Sequence, residues 1–461
     1  MRQDIHFFNE FRRLSALALP IILSGVVNSV MPFVNTVYLG HLSEEALAIG
    51  GLSLSIFVFI MVLFWGMFST LSPLIARLHG EKQDAEIASL VRAGLLLSLP
   101  TGLLIILVYH HIGDLLLLFN YSPYIASEVQ HFFITLSFST PADLMLTTLY
   151  AFCFGISKPR YVLIVTIVQI PINLFFNYMF MYGDFGAPAF GISGIGVGMT
   201  CTYWLIFSVF VAFLFGLHTP RRYLCGGHKV RLSQVWEILK VGGPSGIQWL
   251  LTMGFFAVVA LLMGRLSLAA LAAYQVVFQI YTLVYNIVYN FNQAVTIRVA
   301  EGVGARLVKQ VRYNYWGSYL FIGFVLLITL LCIGFGHESL IHLFTKPGAT
   351  GEEGFFAYAR EFLFLLPIFM IIDLLGYTHF QVLRSFKDTR FPMLVALVVY
   401  WVIGIPLLIL VMDTHSVNSP MLLWGIMIFS SLFCLLGQAW RYVHQYKQLK
   451  VAAGINKQNL I

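Results

Sequence analysis

The sequence predicts an all-α membrane protein: twelve transmembrane helices in two pseudo-symmetric six-helix lobes, related by a parallel repeat. Three observations carry that prediction. The chain of 461 residues is 59% hydrophobic and only 10% charged, whereas soluble chains carry about 25% charged residues. Its apolar runs last about twenty residues or more, which calls for helices, because a helix satisfies its own backbone polar groups in hydrocarbon. The stretch from Pro20 to Gly80 also recurs without a gap, at an offset of 224, from Pro244 to Gly304. Gly40 falls on Gly264, Leu42-Ser43 on Leu266-Ser267, Ala46-Leu47-Ala48 on Ala270-Leu271-Ala272, and Ala76 on Ala300. Duplication in a membrane chain is the usual plan of a transporter that handles its cargo between two halves.

The first six spans read as roughly 13–39, 46–74, 89–115, 128–155, 160–182 and 190–216, from the length and apolarity of each run. The first contains Pro20 and Pro32, whose missing N–H groups favour a gating bend, and Asn28 and Asn35, seven apart on one face. The fourth carries Asp143 near its start. The fifth carries Asn173 and Asn177, four apart on one face. A basic polar linker, 218–240, with Arg221, Arg222, Lys229 and Arg231, separates lobe 1–217 from lobe 241–461.

The last six spans read as roughly 235–264, 270–298, 312–340, 355–384, 391–412 and 419–446. The eighth holds a polar stripe: Gln275, Gln279, Thr282, Asn286, Asn290 and Gln293. Steps of 4, 3, 4, 4 and 3 put all six on one helical face. A cavity-lining face explains them better than interhelical packing. The repeat-related positions in the second span, among them Gly51, Ser55 and Gly66, are small. The tenth span carries Asp373, which falls on Asp143 at an offset of 230. Gly376 and Tyr377, just beyond it on the same helix, offer room for an ion and a hydroxyl. An ionised side chain at a helix centre costs roughly 2.5–3.5 kcal/mol in the bilayer, so such residues face the bundle interior or water.

Charge sets the topology. With the N-terminus and every even-numbered connection on one side, that side holds 24 of the 27 Lys and Arg residues. The other holds only Arg265, Lys346 and Arg360. Positive residues stay cytoplasmic, so both termini are expected inside. The net charge of +7 is thereby explained without nucleic acid. The polar segment from Met1 to Arg13 does not resemble a cleavable signal peptide. Cys153, Cys201, Cys225, Cys332 and Cys434 have no clustered spacing, so neither a disulfide framework nor a metal site is indicated. No nucleotide-binding loop, zinc motif or nucleophile elbow is present. The chain therefore reads as no enzyme, with no cofactor, and any active transport must draw on an ion gradient.

Several segments resemble the multidrug and toxic compound extrusion (MATE) family, most closely its NorM-like bacterial branch. They are Leu-Ala-Leu-Pro at 17–20, Phe-Val-Asn-Thr-Val at 33–37, Ser-Pro-Leu-Ile-Ala at 72–76 and Phe-Asn-Tyr-Met-Phe at 176–180. Phe-Ala-Val-Val-Ala-Leu-Leu at 256–262, Ala-Val-Thr-Ile-Arg-Val at 294–299, and Asp373 with Leu383-Arg384 and Lys387-Asp388 complete the set. The resemblance implies a V-shaped exporter of cationic amphipathic drugs that works by alternating access in exchange for Na+ or H+. It places Asp373 on the second-lobe acidic residue, and Pro20, Asn173 and Asn177 around the first-lobe site. Two positions depart from it: the family usually has Asp where this chain has Asn35, and NorM-like members usually have Glu where it has Thr252. A carboxamide does not titrate near neutral pH, so proton coupling through position 35 is not expected. Asp143 matches no family motif.

The expected cation-coupling residues are Asp373, Asn35, Asn173, Asn177 and Asp143, any Na+ sitting on these alone. The stripe and Tyr377 are expected to line the substrate cavity. A monomer in the bacterial inner membrane, moving small organic cations, is the leading reading; the alternative is a lipid or glycolipid flippase of the same superfamily, which would want basic groups to hold phosphate. A reporter active only in the periplasm and fused after Lys457 is expected to be silent. Activity there would overturn the twelve-span topology.

Overall fold

The computed structural model describes residues 6–224, 229–342, 352–413 and 419–454, so Arg2, Cys225, Lys346 and Lys457 lie outside the described residues. Within them the chain is helical, without a strand. The first half comprises α1 (Phe7–Leu42), α2 (Glu44–Phe68), α3 (Leu71–Gly80), α4 (Asp84–Tyr109), α5 (Ile112–Leu118), α6 (Pro123–Ser137), α7 (Thr140–Gly155), α8 (Pro159–Tyr182), α9 (Ser193–Gly216) and α10 (His218–Leu224). The second comprises α11 (Leu232–Leu266), α12 (Leu268–Gly304), α13 (Val308–His342), α14 (Glu352–Ser385), α15 (Arg390–Ala396), a π-helical segment (Leu397–Gly404), α16 (Ile405–Asp413) and α17 (Ser419–Ala452). Eleven helices among the described residues are long and apolar enough to cross a membrane, and twelve when the bent pair α6–α7 counts as one span. The protein is a multi-pass membrane protein.

The duplication is visible atom by atom at the helix ends. Ser43 caps α2 by accepting from the Ala46 N–H at 2.9 Å, and its repeat counterpart Ser267 caps α12 by accepting from the Ala270 N–H at 3.0 Å. At the far ends, Lys82 (φ 59°) and Arg306 (φ 56°) both take the left-handed conformation. The following N–H groups reach back five residues, Gln83 to the Leu78 carbonyl (3.0 Å) and Leu307 to the Gly302 carbonyl (2.8 Å). This is the Schellman closure of a helix, here without its usual glycine. The second register repeats the device. Ser157 (φ 59°) and Lys387 (φ 62°) are 230 apart, and Lys158 and Asp388 donate to the carbonyls of Cys153 and Leu383 at 2.8 and 3.1 Å. Both offsets read from the sequence are therefore structural registers.

The fourth span differs from the single run expected at 128–155. It is two helices, α6 and α7, meeting at 50°. Pro141, in the first turn of α7, cannot donate to the preceding turn. The hydroxyls of Ser137, Ser139 and Thr140 donate instead to the carbonyls of Ile134, Leu136 and Ser137 at 2.7, 2.7 and 2.8 Å. Bonds of this kind let a break persist inside hydrocarbon. Its consequence is positional: Asp143 lies in the first turn of a helix. By contrast α1 runs unbroken through Pro20 and Pro32.

Two compact units emerge, residues 19–246 and residues 247–461 together with 1–18. The boundaries 1–217 and 241–461 follow chain connectivity, whereas compactness attaches the first turns of α1 to the second unit. In the 19–246 unit the core runs through α2, α3, α4, α6, α7, α8 and α9. In the other, α12, α14 and α17 pack together, with Phe362, Phe369, Trp424 and Met427 fully buried. Glu10, 2% exposed, fastens α1 there: it accepts from the Arg298 guanidinium at 2.7 Å and the Asn314 amide at 3.3 Å. Gln234, its counterpart in the first register, fastens the start of α11 in the other unit. It accepts from the Ser89 hydroxyl at 2.5 Å and donates to Glu86 at 2.9 Å.

Breaking one side of a buried ion pair costs about 3 kcal/mol. Arg298→Ala leaves the buried Glu10 with only the exposed Arg13, at 3.1 Å, and the Asn314 amide, and is expected to lower the melting temperature in detergent. Glu10→Ala leaves Arg298 its second partner, Glu301 at 2.6 Å, and is expected to lower it less.

Candidate functional site

The second-half site is built on three helices. Asp373, in the interior of α14, is 8% exposed. Tyr281 of α12 donates its hydroxyl to Oδ2 at 2.6 Å, and Ser431 of α17 reaches Oδ1 at 3.4 Å. No described Lys, Arg or His pairs with this carboxylate. Aromatic rings surround it. Tyr281 packs against Phe256, Phe278, Tyr285 and Phe369 with centroids 5.1–6.4 Å apart. Tyr285, Tyr289 and Tyr377 continue the wall at 5.2–6.1 Å, and Trp249 meets Tyr289 at 5.6 Å. Tyr377, one turn beyond Asp373, accepts a hydrogen bond from the Gln381 amide at 2.7 Å. Gln381 in turn accepts from the fully buried Arg384. Gly376, which the sequence offered as room for an ion, faces Leu435 of α17, where a side-chain carbon would sit 3.7 Å away in ordinary contact.

Tyr377 was expected in the cavity; the tyrosines of α12 are what sequence reasoning missed. Tyr281, Tyr285 and Tyr289 recur every four residues, like the amide stripe beside them, but aromatic residues in apolar spans read as core. The bond that singles out Tyr281 joins residues 92 apart in the chain.

The amide stripe of α12 has two different ends. Gln275, Gln279 and Asn286 are exposed, Thr282 is half-buried, and Asn290 and Gln293 are buried. Thr282, Asn286 and Asn290 donate to the carbonyls of Phe278, Thr282 and Asn286, four residues back in their own helix, at 2.7–2.9 Å. These three side chains thus satisfy themselves locally instead of joining α12 to another helix.

In the 19–246 unit, Asn35, Asn173 and Asn177 do come together, from α1 and α8. The Asn177 amide donates to the side-chain oxygens of Asn35 (2.8 Å) and Asn173 (2.9 Å), and Asn173 donates to the Thr202 hydroxyl of α9 at 3.3 Å. All four side chains are buried, and the Asn177 oxygen has no hydrogen-bond partner. That oxygen lies against Gly198, where any side chain would collide with it. The Asn35 and Asn173 oxygens are taken up by the Asn177 amide, and the Thr202 hydroxyl by Asn173 and the Gly198 carbonyl, which leaves the Asn177 oxygen as the unpartnered group of this neutral cluster. Asn28 is exposed, outside this group. Asp143 is 7% exposed and accepts from the Trp65 indole N–H at 2.8 Å, so it belongs to neither the amide set nor the Asp373 site.

Comparison with known proteins agrees with this architecture. The MatE family model matches twice, at residues 20–179 and 244–410, and its two starts fall on Pro20 and Pro244, in the first register of the repeat. Among curated proteins, the multidrug resistance protein NorM of Aliivibrio fischeri is 26% identical over 421 residues, 90% of each chain. The multidrug resistance protein MdtK of Edwardsiella ictaluri is 27% identical over 426 residues, again 90% of each. Among solved structures, a eukaryotic MATE transporter superposes with a TM-score of 0.83 at 20% identity, covering 97% of this chain and 99% of the other. A multidrug resistance MATE family transporter of the MOP superfamily, in an outward-facing conformation, gives 0.81 at 16% identity, over 96% and 97%.

In a cysteine-free background, single cysteines at Gln279 and Asn286 are expected to react with a water-soluble thiol reagent. Cysteines at the fully buried Val277 and Val288, and at Asn290, are expected to be inert. Equal labelling of all five positions would remove the assignment of this face to an aqueous path.

Proposed function

The chain belongs to the MatE family, and from that premise we propose that it is an antiporter that exports cationic amphipathic compounds by alternating access, in exchange for Na+ or H+. The family's members are transporters and not enzymes, and the relatives' names point to small organic substrates. The observation that carries the finer reading is Asp373: a carboxylate inside a span, held by two hydroxyls, walled by aromatic rings and without a described basic partner. Such a group is costly unless a proton or a cation neutralises it. An organic cation offers the same neutralisation, and the tyrosine faces add cation–π attraction of about 0.5–2 kcal/mol each when desolvated. Ion and substrate thus compete for one charge, which is the requirement for exchange.

In this reading the exposed amides of α12 line the substrate path and Tyr377 closes one wall of the box. The Asn35, Asn173 and Asn177 oxygens offer a second, uncharged seat for Na+. Pro20 and Pro32, inside the continuous helix α1, are the points at which it would bend to gate access. The protein works as a monomer in the bacterial inner membrane with both termini cytoplasmic. The multidrug resistance names of the relatives weigh against the flippase alternative.

Asp373→Asn keeps the size and removes the charge. It is expected to abolish gradient-driven ethidium efflux in vesicles at unchanged protein level. Tyr281→Phe, which removes one charge-assisted hydrogen bond of about 1.5–3 kcal/mol, is expected to shift the pH or Na+ concentration of half-maximal rate while efflux persists. Wild-type efflux in Asp373→Asn would refute the assignment.

A further inference from the structure

The duplication leaves one buried carboxylate unused. Asp143 and Asp373 occupy the same place in the two repeats, at the offset of 230 that the left-handed pair Ser157 and Lys387 fixes. Both are buried, at 7% and 8% exposure. Each accepts a short hydrogen bond from an aromatic side chain of a repeat-related helix, Trp65 of α2 at 2.8 Å and Tyr281 of α12 at 2.6 Å. The donors themselves are not equivalent. At the offset of 224, Trp65 falls on Tyr289 and Tyr281 falls on Phe57, and Phe57 packs edge-on against Trp65 at 5.8 Å. An acid is present in both halves although the group that holds it has moved by two helical turns.

The surroundings of Asp143 contain no charged partner among the described residues. α2 contributes Trp65. The titratable groups within electrostatic reach are Tyr109 from α4, Tyr150 from α7 itself and Tyr203 from α9. Tyr150 donates to Gln169 of α8 at 3.1 Å. The Tyr109 hydroxyl is fully buried and has no hydrogen-bond partner, an orphan that normally costs about 1–3 kcal/mol. Asp143 itself is held by one donor, the Trp65 indole, and no described residue donates to its second oxygen. The first turn of α7 supplies the positive end of a helix dipole to the carboxylate.

We propose that Asp143 is a second exchangeable monocation site, repeat-related to Asp373, that takes up one H+ or Na+ per transport cycle without contacting the exported compound. This rests on the antiport reading above and extends it to a stoichiometry of two ions per substrate. One ion competes with substrate at Asp373. The other is carried by Asp143, where neither the tyrosine box nor the amide stripe of α12 is present.

The test is the thermodynamic slope of exchange in proteoliposomes. Ethidium is the probe, the membrane potential is clamped at zero, and pH and Na+ gradients are imposed in separate arms. At equilibrium the logarithm of the ethidium ratio rises with the logarithm of the ion ratio with a slope equal to the number of ions exchanged. The wild type is expected to give a slope near two, summed over the arms, with the arm that responds identifying the ion. Asp143→Asn, which still accepts from Trp65, is expected to export ethidium with the slope reduced to about one. Trp65→Phe is expected to keep a slope of two and shift the ion concentration of half-maximal rate several-fold. A wild-type slope of one, or an unchanged slope in Asp143→Asn, would overturn the proposal. Should Asp143→Asn fail to fold, an unshifted midpoint in Trp65→Phe would overturn it instead. Loss of all ion dependence in the wild type, or wild-type efflux in Asp373→Asn, would refute the antiport reading and not Asp143 specifically.

Discussion

A carboxylate buried inside a membrane span without a basic partner is costly in its charged form. That constraint governs how the rest of this molecule is read. Asp373 meets no lysine or arginine from α12 or α17; they offer hydroxyls, from Tyr281 and Ser431. Hydroxyls orient a carboxylate and stabilise it without cancelling its charge. The remaining charge is available to whichever cation is present. Aromatic rings on α12 and α14 provide apolar walls that also attract cations. The helices hold this group where water cannot screen it fully, at 8% exposure.

The repeat explains how such a site is supported. Helix ends and left-handed closures recur at both offsets, down to the Ser43 and Ser267 caps. The interiors have diverged. One half gathers amides, Asn35, Asn173 and Asn177, into a neutral oxygen cluster; the other gathers tyrosines about an acid. Ends are determined by backbone hydrogen bonds that every copy must satisfy in a membrane, whereas interior side chains can exchange roles as long as their polar groups find partners. The Glu10 and Gln234 clasps show the same freedom. Equivalent positions fasten equivalent helix starts, one as a carboxylate to a guanidinium and one as an amide to a carboxylate and a hydroxyl.

This division sets what could be read from the residues alone. Apolar runs, the two registers, the stripe on α12 and Asp373 were legible because they depend on spacing along one helix. The break between α6 and α7 was less so. The run 128–155 read as one span, because the break rests on Pro141 and on three hydroxyls back-bonding to carbonyls, which hydropathy does not register. Tyr281, Trp65 and Thr202 acquire meaning only through partners 92, 78 and 29 residues away. The assignment of residues 1–18 to the second unit was likewise hidden. It depends on Glu10 meeting Arg298, 288 residues downstream.

Asn35 shows how local chemistry reshapes the division of labour. Its side-chain oxygen is already engaged by Asn177, whose amide also serves Asn173. A carboxylate at position 35 would accept a stronger bond from Asn177 and would add a charge that the amides around it do not balance. With a carboxamide there, the cluster is neutral and has no proton to release near neutral pH. Any proton exchanged in the 19–246 unit must therefore use another group. Among the described residues of that unit, Asp143 is the one carboxylate buried within a span.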